Sequence, residues 1–232
     1  MNIDSLFDLS GKVAIVTGGG DGIGKGSCET LAHFGASIVV SDLVLEKAQA
    51  VANEIVKNGG KAIAVACNVL NDADLVNLVD KAVAEYETVN ILVNNAGFGV
   101  FGEFTETALQ EELELLQVNV RALHILTKLF LRDFKKCNFG RILNVASSAG
   151  FLTGPLFSSY YASKNYVVRL SLAIAEELRR EKSRVTISIL CPGPVDTGFN
   201  DRAGVQFRVK ALTPEAVAKE AVFGLLTGKL LI

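Results

Sequence analysis

Two residues in the second half of the chain carry side chains that could exchange protons. Tyr160 and Lys164 lie four positions apart in a segment with helical periodicity, so both side chains lie on one face of the predicted helix. A neighbouring ammonium group favours the phenolate and would lower the tyrosine pKa from about 10 toward neutrality. Tyr161 has no such partner, because Asn165 lies four positions after it. Tyr160 is therefore the candidate general acid or base, although such a pair taken alone is also typical of an ordinary helix surface.

A glycine-rich turn near the start of the chain could bind phosphate. The sequence TGGGDGIG begins at Thr17 and fits the pattern TGxxxGxG through Gly18, Gly22 and Gly24. Glycine lets the backbone turn tightly and approach a phosphate, while the free N–H groups of the following helix attract the anion. The spacing does not fit GxGxxG, and the turn alone is also compatible with an ordinary loop.

An acidic residue follows the turn at the distance that a dinucleotide site requires. Asp42 ends the second predicted strand, about 20 residues past the turn, where its carboxylate can accept hydrogen bonds from both ribose hydroxyls of an adenosine. The turn and the acid together favour nucleotide binding over two unrelated loop features.

The elements that must position these residues alternate in type. Short apolar runs predict strands at 13–17, 37–41, 62–67, 91–94, 142–146 and 185–191. Helical periodicity predicts helices that include 46–57, 73–85, 109–134 and 160–180. Strands that are apolar throughout imply a sheet covered on both faces. The sequence therefore predicts one α/β domain over residues 1–232, a Rossmann-type doubly wound parallel sheet with helices on both faces.

Composition excludes several other classes of protein. The 232 residues are 50% hydrophobic and 21% charged, with a net charge of −2, so neither a disordered chain nor a nucleic-acid-binding surface is expected. The first residues show no secretory signal and no apolar run is long enough for a membrane span, which predicts a cytoplasmic protein. The scattered cysteines and histidines predict buried, reduced thiols and no metal site; they are Cys28, Cys67, Cys137, Cys191, His33 and His124.

Further motifs extend the pattern over nearly the whole chain. They are NNAG at 94–97, Asn119 in VNV, SSAG at 147–150, YYASK at 160–164 and CPGPVDTG at 191–198. With TGGGDGIG, these motifs resemble the short-chain dehydrogenase/reductase family in order and spacing. The resemblance implies an enzyme that moves hydride between a nicotinamide cofactor and a carbonyl carbon, while the protein supplies orientation and proton transfer.

The resemblance assigns a catalytic tetrad. Tyr160 is the acid or base, and Ser147, rather than its neighbour Ser148, holds the substrate oxygen. Lys164 also grips the nicotinamide ribose, and Asn119 positions a water that links Lys164 to solvent. The expected cofactor contacts are Gly18, Asp21, Gly22, Ile23, Gly24, Asp42, Leu43, Asn68, Val69, Asn94, Asn95, Ala96, Gly97, Tyr160, Lys164, Pro192, Gly193, Val195 and Thr197.

The cofactor is expected to be NAD rather than NADP. A 2′-phosphate would face the like charge of Asp42, and the positions where NADP-preferring relatives carry a basic residue hold Asp21 and Leu43. Near the adenine, the usual Asp-Val is replaced by Asn68-Val69, whose amide oxygen can still accept from the adenine amino group.

The expected substrate is a hydrophobic secondary alcohol or ketone, such as a steroid or bile acid. The candidate contacts, besides Ser147 and Tyr160, are Phe98, Val100, Phe101, Leu152, Phe157, Phe199 and Phe207, although each phenylalanine could instead be a core or interface residue. A substrate lid is expected at about 198–226. The first 97 residues resemble bacterial hydroxysteroid dehydrogenases, and the rest resembles DltE-like short-chain dehydrogenases.

The sequence leaves two alternative functions open and also predicts an oligomeric assembly. A 3-oxoacyl-carrier-protein reductase-like carbonyl reductase is the other enzyme, and a non-catalytic NAD-binding redox sensor is the alternative from another class. The resemblance also implies a homodimer or homotetramer formed through the helices at 109–134 and 160–180. LTGKLLI at 226–232 is expected to form the final strand, which either ends the chain or precedes a tail that has been removed.

Overall fold

A six-stranded parallel sheet forms the centre of the protein. We analysed a computed structural model, which describes residues 7–204 and 211–232. The strands are β1 (Val13–Thr17), β2 (Ser37–Asp42), β3 (Lys61–Ala66), β4 (Ile91–Asn94), β5 (Arg141–Val145) and β6 (Thr186–Leu190). Their order across the sheet is β3-β2-β1-β4-β5-β6. The predicted fold is therefore confirmed, and each predicted strand end lies within one residue of its observed position.

Helices connect the strands and cover both faces of the sheet. They are α1 (Gly22–His33), α2 (Leu45–Lys57), α3 (Asp72–Tyr86), α4 (Leu109–Leu116), α5 (Leu123–Cys137), α6 (Ser158–Arg180), α7 (Gly198–Ala203) and α8 (Pro214–Thr227). A short 3₁₀ turn spans Ser148–Phe151. Among the described residues, no helix combines the length and the apolar character that crossing a membrane requires.

Successive side chains of β1 pack into two hydrophobic clusters, one on each face of the sheet. Ala14 and Val16 on β1 pack in the cluster that contains Leu31 of α1. Ile15 points to the opposite face, where its cluster contains Leu78 of α3. Because successive residues of a strand point to opposite faces, a strand that is buried on both faces needs consecutive apolar residues, as β1 has from Val13 to Val16.

The helix predicted at 109–134 is interrupted. Residues Gln117–Ala122 form a π-helical segment between α4 and α5, and Asn119 lies inside it. A π segment adds one residue to a helical turn and commonly occurs at functional sites. The apolar periodicity of the flanking helices does not reveal this extra residue, which is why the sequence predicted one continuous helix.

The last described residues extend the sheet. Leu231 forms a parallel bridge with Ile189 of β6, and the Cys191 N–H donates to the carbonyl of Ile232 at 2.8 Å. The segment LTGKLLI therefore lies beside β6 through an isolated β-bridge near its end.

The described residues also correct two expectations, one about the burial of the thiols and one about the extent of the lid. Cys137 at the end of α5 is exposed, unlike the buried Cys28 and Cys67, so the prediction that the thiols are buried is wrong for Cys137. Within the predicted lid, α8 packs against α1, where Ala218 lies next to Gly26. This helix therefore belongs to the sheet-covering layer, and Phe207 lies outside the described residues.

The central position of β1 predicts a large packing cost for truncation there. Ile15 is fully buried, so Ile15→Ala should lower the free energy of unfolding by about 2–5 kcal/mol. Val76→Ala on the exposed side of α3 is the matched control and should change it by less than about 0.5 kcal/mol. Urea denaturation of the two variants measures the difference, and equal midpoints would contradict the assigned core.

Candidate active site

The site lies in a cavity at the carboxyl edge of the sheet. Its volume is 460 Å³, and its lining comes from the carboxyl ends of the six strands and the start of α6, among other segments. Parallel strands place their carboxyl ends along one edge, and a crevice opens where the strand order reverses. Here the reversal lies at β1, which pairs with β2 on one side and β4 on the other.

Most of the predicted contacts line this one cavity. They are Gly18, Asp21, Gly22, Ile23, Asp42, Leu43, Asn68, Val69, Asn95, Ala96, Gly97, Phe98, Ser147, Leu152, Phe157, Tyr160, Lys164, Pro192, Gly193, Val195, Thr197 and Phe199. Gly24, Asn94, Val100, Phe101 and Asn119 do not line it. Residues that the sequence reasoning missed include Lys47, Glu114, Val118 and Tyr161.

The glycine turn is held against β4 by one asparagine. The Asn95 amide donates to the carbonyls of Thr17 at 3.1 Å and Gly18 at 2.8 Å. Gly18 and Gly22 have φ of +61° and +53°, which side chains with a Cβ rarely adopt. A Cβ on the buried Gly24 would lie 2.0 Å from the Gly18 carbonyl oxygen. Gly24 therefore shapes the turn without facing the cavity.

The start of α1 fits a phosphate group. Asp21 caps the helix by accepting from the Gly22 N–H at 2.8 Å, and Gly22 and Ile23, the first residues of α1, line the cavity. Unpaired N–H groups and the helix dipole give this end partial positive charge. The cavity residues at this end are thus suited to the diphosphate of a dinucleotide.

Asp42 occupies the position expected for a ribose-binding carboxylate. One of its oxygens accepts from the Gly20 N–H and the other from the Val44 N–H, both at 3.0 Å. Beside it, the Lys47 ammonium lies 3.2 Å from the Asp21 carboxylate. This lysine lies in the first turn of α2, five positions past Asp42, and it lines the cavity. The prediction of NAD from Asp21, Asp42 and Leu43 did not include it.

Asn68, at the end of the cavity where adenine is expected to bind, already makes two hydrogen bonds within the protein. Its amide oxygen accepts from the Leu70 N–H at 3.0 Å, and its own N–H donates to Asp74 at 2.9 Å. A carbonyl oxygen has two acceptor positions, so one remains for a ligand. Val69 and Leu70 complete this part of the lining.

Tyr160, Ser147 and Lys164 meet around one corner of the cavity. Burial raises the pKa of Tyr160 to about 12, and its hydrogen bond with Ser147 partly opposes that rise. Burial lowers the pKa of the Lys164 ammonium to about 8. Lys164 donates to the Val145 carbonyl at 2.9 Å, and its nitrogen lies 5.8 Å from the centre of the Tyr160 ring.

The expectation that Lys164 lowers the pKa of Tyr160 is therefore wrong for this structure. Removing the phenol from water disfavours the phenolate, and the ammonium directs a hydrogen bond at the Val145 backbone instead. At neutral pH the Tyr160 hydroxyl keeps its proton and is available as a donor.

Asn119 lies behind this corner rather than in the cavity. Its amide donates to the Phe98 carbonyl at 2.9 Å and to the Ser163 hydroxyl at 3.1 Å, and its oxygen accepts from the Phe98 N–H at 3.1 Å. A Cβ on Gly97 would lie 3.4 Å from the Lys164 nitrogen. Asn119 thus fixes the backbone that passes over Lys164.

Aromatic rings enclose the catalytic corner. The centre of the Tyr160 ring lies 5.4 Å from that of Phe157 and 5.3 Å from that of Phe199. Gly99 fits between Phe199 and Phe157. Phe101 stacks on Phe157 at 5.1 Å from outside, so it supports the wall without lining the cavity.

Comparisons with known proteins agree with this geometry. The model of the short chain dehydrogenase family matches residues 12–206. A cyclohexanol dehydrogenase from an Acinetobacter strain is 35% identical over 190 residues, which cover 82% of this chain and 75% of that enzyme. The range that the family model matches spans the four positions of the expected tetrad.

Solved structures share the whole architecture. A short chain dehydrogenase/reductase from Burkholderia phymatum in complex with NAD has a TM-score of 0.90 and 27% identity, over 97% of this chain and 89% of that one. A metagenomic short-chain oxidoreductase in complex with NADP has a TM-score of 0.80 and 31% identity, over 97% and 95%.

The close packing of Gly24 predicts that a methyl group there disrupts nucleotide binding. Gly24→Ala would push the Gly18 carbonyl and the Asn95 amide apart, so NADH affinity should fall at least tenfold. Fluorescence titration with NADH measures the affinity, with Glu29→Ala farther along α1 as the control. Unchanged affinity in folded Gly24→Ala would show that the turn does not form the nucleotide site.

Proposed function

The chain belongs to the short chain dehydrogenase family and is an oxidoreductase acting on CH–OH groups, and we propose that it interconverts a hydrophobic secondary alcohol and its ketone with NAD(H). The observation that carries the proposal is the meeting of Tyr160, Ser147 and Lys164 at one end of a cavity. The glycine turn and Asp42 line the other end, so one elongated ligand could reach both groups.

The nicotinamide cofactor would supply and accept the hydride. The residues present fit such a cofactor, because Gly18 and Gly22 have backbone conformations that favour glycine and because α1 begins at the cavity. Gly97, Pro192 and Thr197 would border the nicotinamide half, and Asp42 the adenosine ribose.

The protein's own residues would handle the proton. In the direction of ketone reduction, Ser147 would donate a hydrogen bond to the carbonyl oxygen and Tyr160 would transfer its proton to that oxygen. The raised pKa of Tyr160 keeps the phenol protonated for this step at neutral pH. Lys164, whose pKa of about 8 lies near neutrality, would hold the charge that returns a proton to Tyr160.

Charge favours NAD over NADP. The Asp42 carboxylate accepts two backbone N–H groups at the end of β2, and an added 2′-phosphate would lie close to it. Lys47 carries the compensating charge nearest to this position, but it is paired with Asp21. We therefore propose NAD as the preferred cofactor.

Apolar walls favour a hydrophobic substrate. Phe98 and Phe157 are almost completely buried, while Leu152 and Phe199 complete the wall around Tyr160. A steroid or bile acid is the substrate class that this wall favours. An acyl chain on a carrier protein is the competing class, and a panel of ketones separates them.

Exposed leucines support assembly through α4 and α5. Leu109, Leu113, Leu116 and Leu129 are exposed large apolar side chains on these helices. Covering such a face stabilises an oligomer, so we propose a homodimer or homotetramer that uses it.

Loss of the Tyr160 hydroxyl should stop turnover without releasing the cofactor. Tyr160→Phe removes the proton donor, so kcat should fall by roughly 10²–10⁴-fold while the NADH dissociation constant stays within about twofold. The assay follows NADH oxidation with cyclohexanone, a 3-ketosteroid and a β-keto thioester. Tyr86→Phe, on α3, removes the same hydroxyl outside the cavity and should leave turnover unchanged. Comparable turnover in Tyr160→Phe would refute the proposed mechanism.

Removing the charge of Asp42 should weaken cofactor selectivity. The unchanged enzyme should prefer NADH, and Asp42→Ala should narrow the ratio of kcat/KM between NADH and NADPH by about tenfold. Asp42→Asn separates charge from size, since it keeps an acceptor for one of the two backbone N–H groups. A wild-type preference for NADPH would overturn the assignment of NAD.

A further inference from the structure

A buried carboxylate lies just outside the cavity and is not part of the tetrad. Glu112 on α4 is only 9% exposed, and it does not line the cavity. One of its oxygens accepts a hydrogen bond from the Thr107 hydroxyl, and the other accepts from the Ser159 hydroxyl at 2.5 Å. A buried carboxylate is costly unless it is hydrogen-bonded, so these two donors largely determine where the side chain can lie.

The two hydroxyls belong to the two segments that border the catalytic corner. Thr107 ends the loop that follows Phe98 and Gly99. Ser159 directly precedes Tyr160 in the first turn of α6. The carboxylate therefore bridges a substrate-side loop and the helical turn that carries the proton donor.

Two further contacts join the same two segments. The Gly102 N–H donates to the Leu156 carbonyl at 2.8 Å, and the rings of Phe101 and Phe157 stack at 5.1 Å. Leu156 has a φ of +67°. This backbone conformation is unfavourable for a residue with a Cβ atom, and it persists only when surrounding contacts stabilise it. Phe157, the residue before α6, makes no capping side-chain hydrogen bond. The hydrogen bond from Ser159 to Glu112 therefore holds a first helical turn that lacks its own cap.

We propose that Glu112 is a positioning residue for ketone reduction. By holding Ser159 and Thr107 at the same time, it fixes the Tyr160 phenol relative to the loop that carries Gly99. Proton transfer depends on the placement of the donor within about an ångström, so the carboxylate acts on the reaction through Tyr160 and not through the substrate. This inference rests on the proposed oxidoreductase function.

The first experiment separates positioning from folding. Glu112→Ala should lower kcat for cyclohexanone with NADH by roughly tenfold or more, since it removes two hydrogen bonds to a charged group. The NADH dissociation constant should stay within about twofold of the wild-type value, because Glu112 is remote from the glycine turn. Glu112→Gln keeps an acceptor and a donor of the same size and should recover most of kcat. Glu111→Ala, which removes an exposed carboxylate from the neighbouring position, is the control.

A double-mutant cycle assigns the effect to Ser159. Ser159→Ala should reproduce most of the loss in kcat, and Glu112→Ala combined with Ser159→Ala should be no slower than Glu112→Ala alone. Additive losses would show that the two residues act separately. A kcat for both single variants within twofold of wild type would overturn the proposal, and Ser159→Ala decides the matter if Glu112→Ala does not fold.

A measurement without turnover keeps this inference distinct from the proposed function. Amide hydrogen exchange in Glu112→Ala should accelerate in peptides covering 99–108 and 156–163 and stay unchanged in peptides from β1 and α1. Failure of the wild type to oxidise NADH with any ketone would refute the proposed function. Unchanged exchange in both peptides would refute the bridging role of Glu112, whatever the enzyme turns over.

Discussion

The pairing of β1 with β4 is the constraint on which the site depends. It brings Thr17 and Asn94 side by side, so the glycine turn after β1 meets the backbone after β4. The Thr17 hydroxyl accepts from the N–H groups of Asn95 and Ala96 at 3.1 and 3.2 Å. These bonds join two chain segments that are far apart in sequence, and the crevice between them becomes the long axis of the cavity.

Burial determines the chemistry at the other end of that crevice. The pKa of Tyr160 rises to about 12 and that of Lys164 falls to about 8 because both groups leave water. The two pKa values therefore move apart, and burial favours the neutral form of each group. The Val145 carbonyl and the Ser147 hydroxyl then decide where each group directs its hydrogen bond. The same walls that exclude water also favour an apolar substrate.

Much of this arrangement could be predicted from the residues, for physical reasons that differ between regions. Strands that are covered on both faces require mostly apolar side chains, and glycine is favoured at Gly18 and Gly22, where φ is positive. By contrast, the π segment around Asn119 leaves no mark on the apolar periodicity. Lys47 lines the cavity from the first turn of α2 and pairs with Asp21 of the preceding glycine turn, a contact between separate elements that linear spacing does not describe.

The sequence by itself determined the order of strands and helices, the glycine turn and the set of residue types that can move a proton. Those features depend on local conformational preferences and on the spacing of side chains along one element. Only the tertiary structure decided that Tyr160 stays protonated and that Asn119 lies behind the cavity. It also decided that Glu112 accepts hydrogen bonds from Thr107 and Ser159 and so bridges them. Each of these depends on burial and on partners distant in sequence, because desolvation and hydrogen-bond geometry exist only once separate elements have packed together.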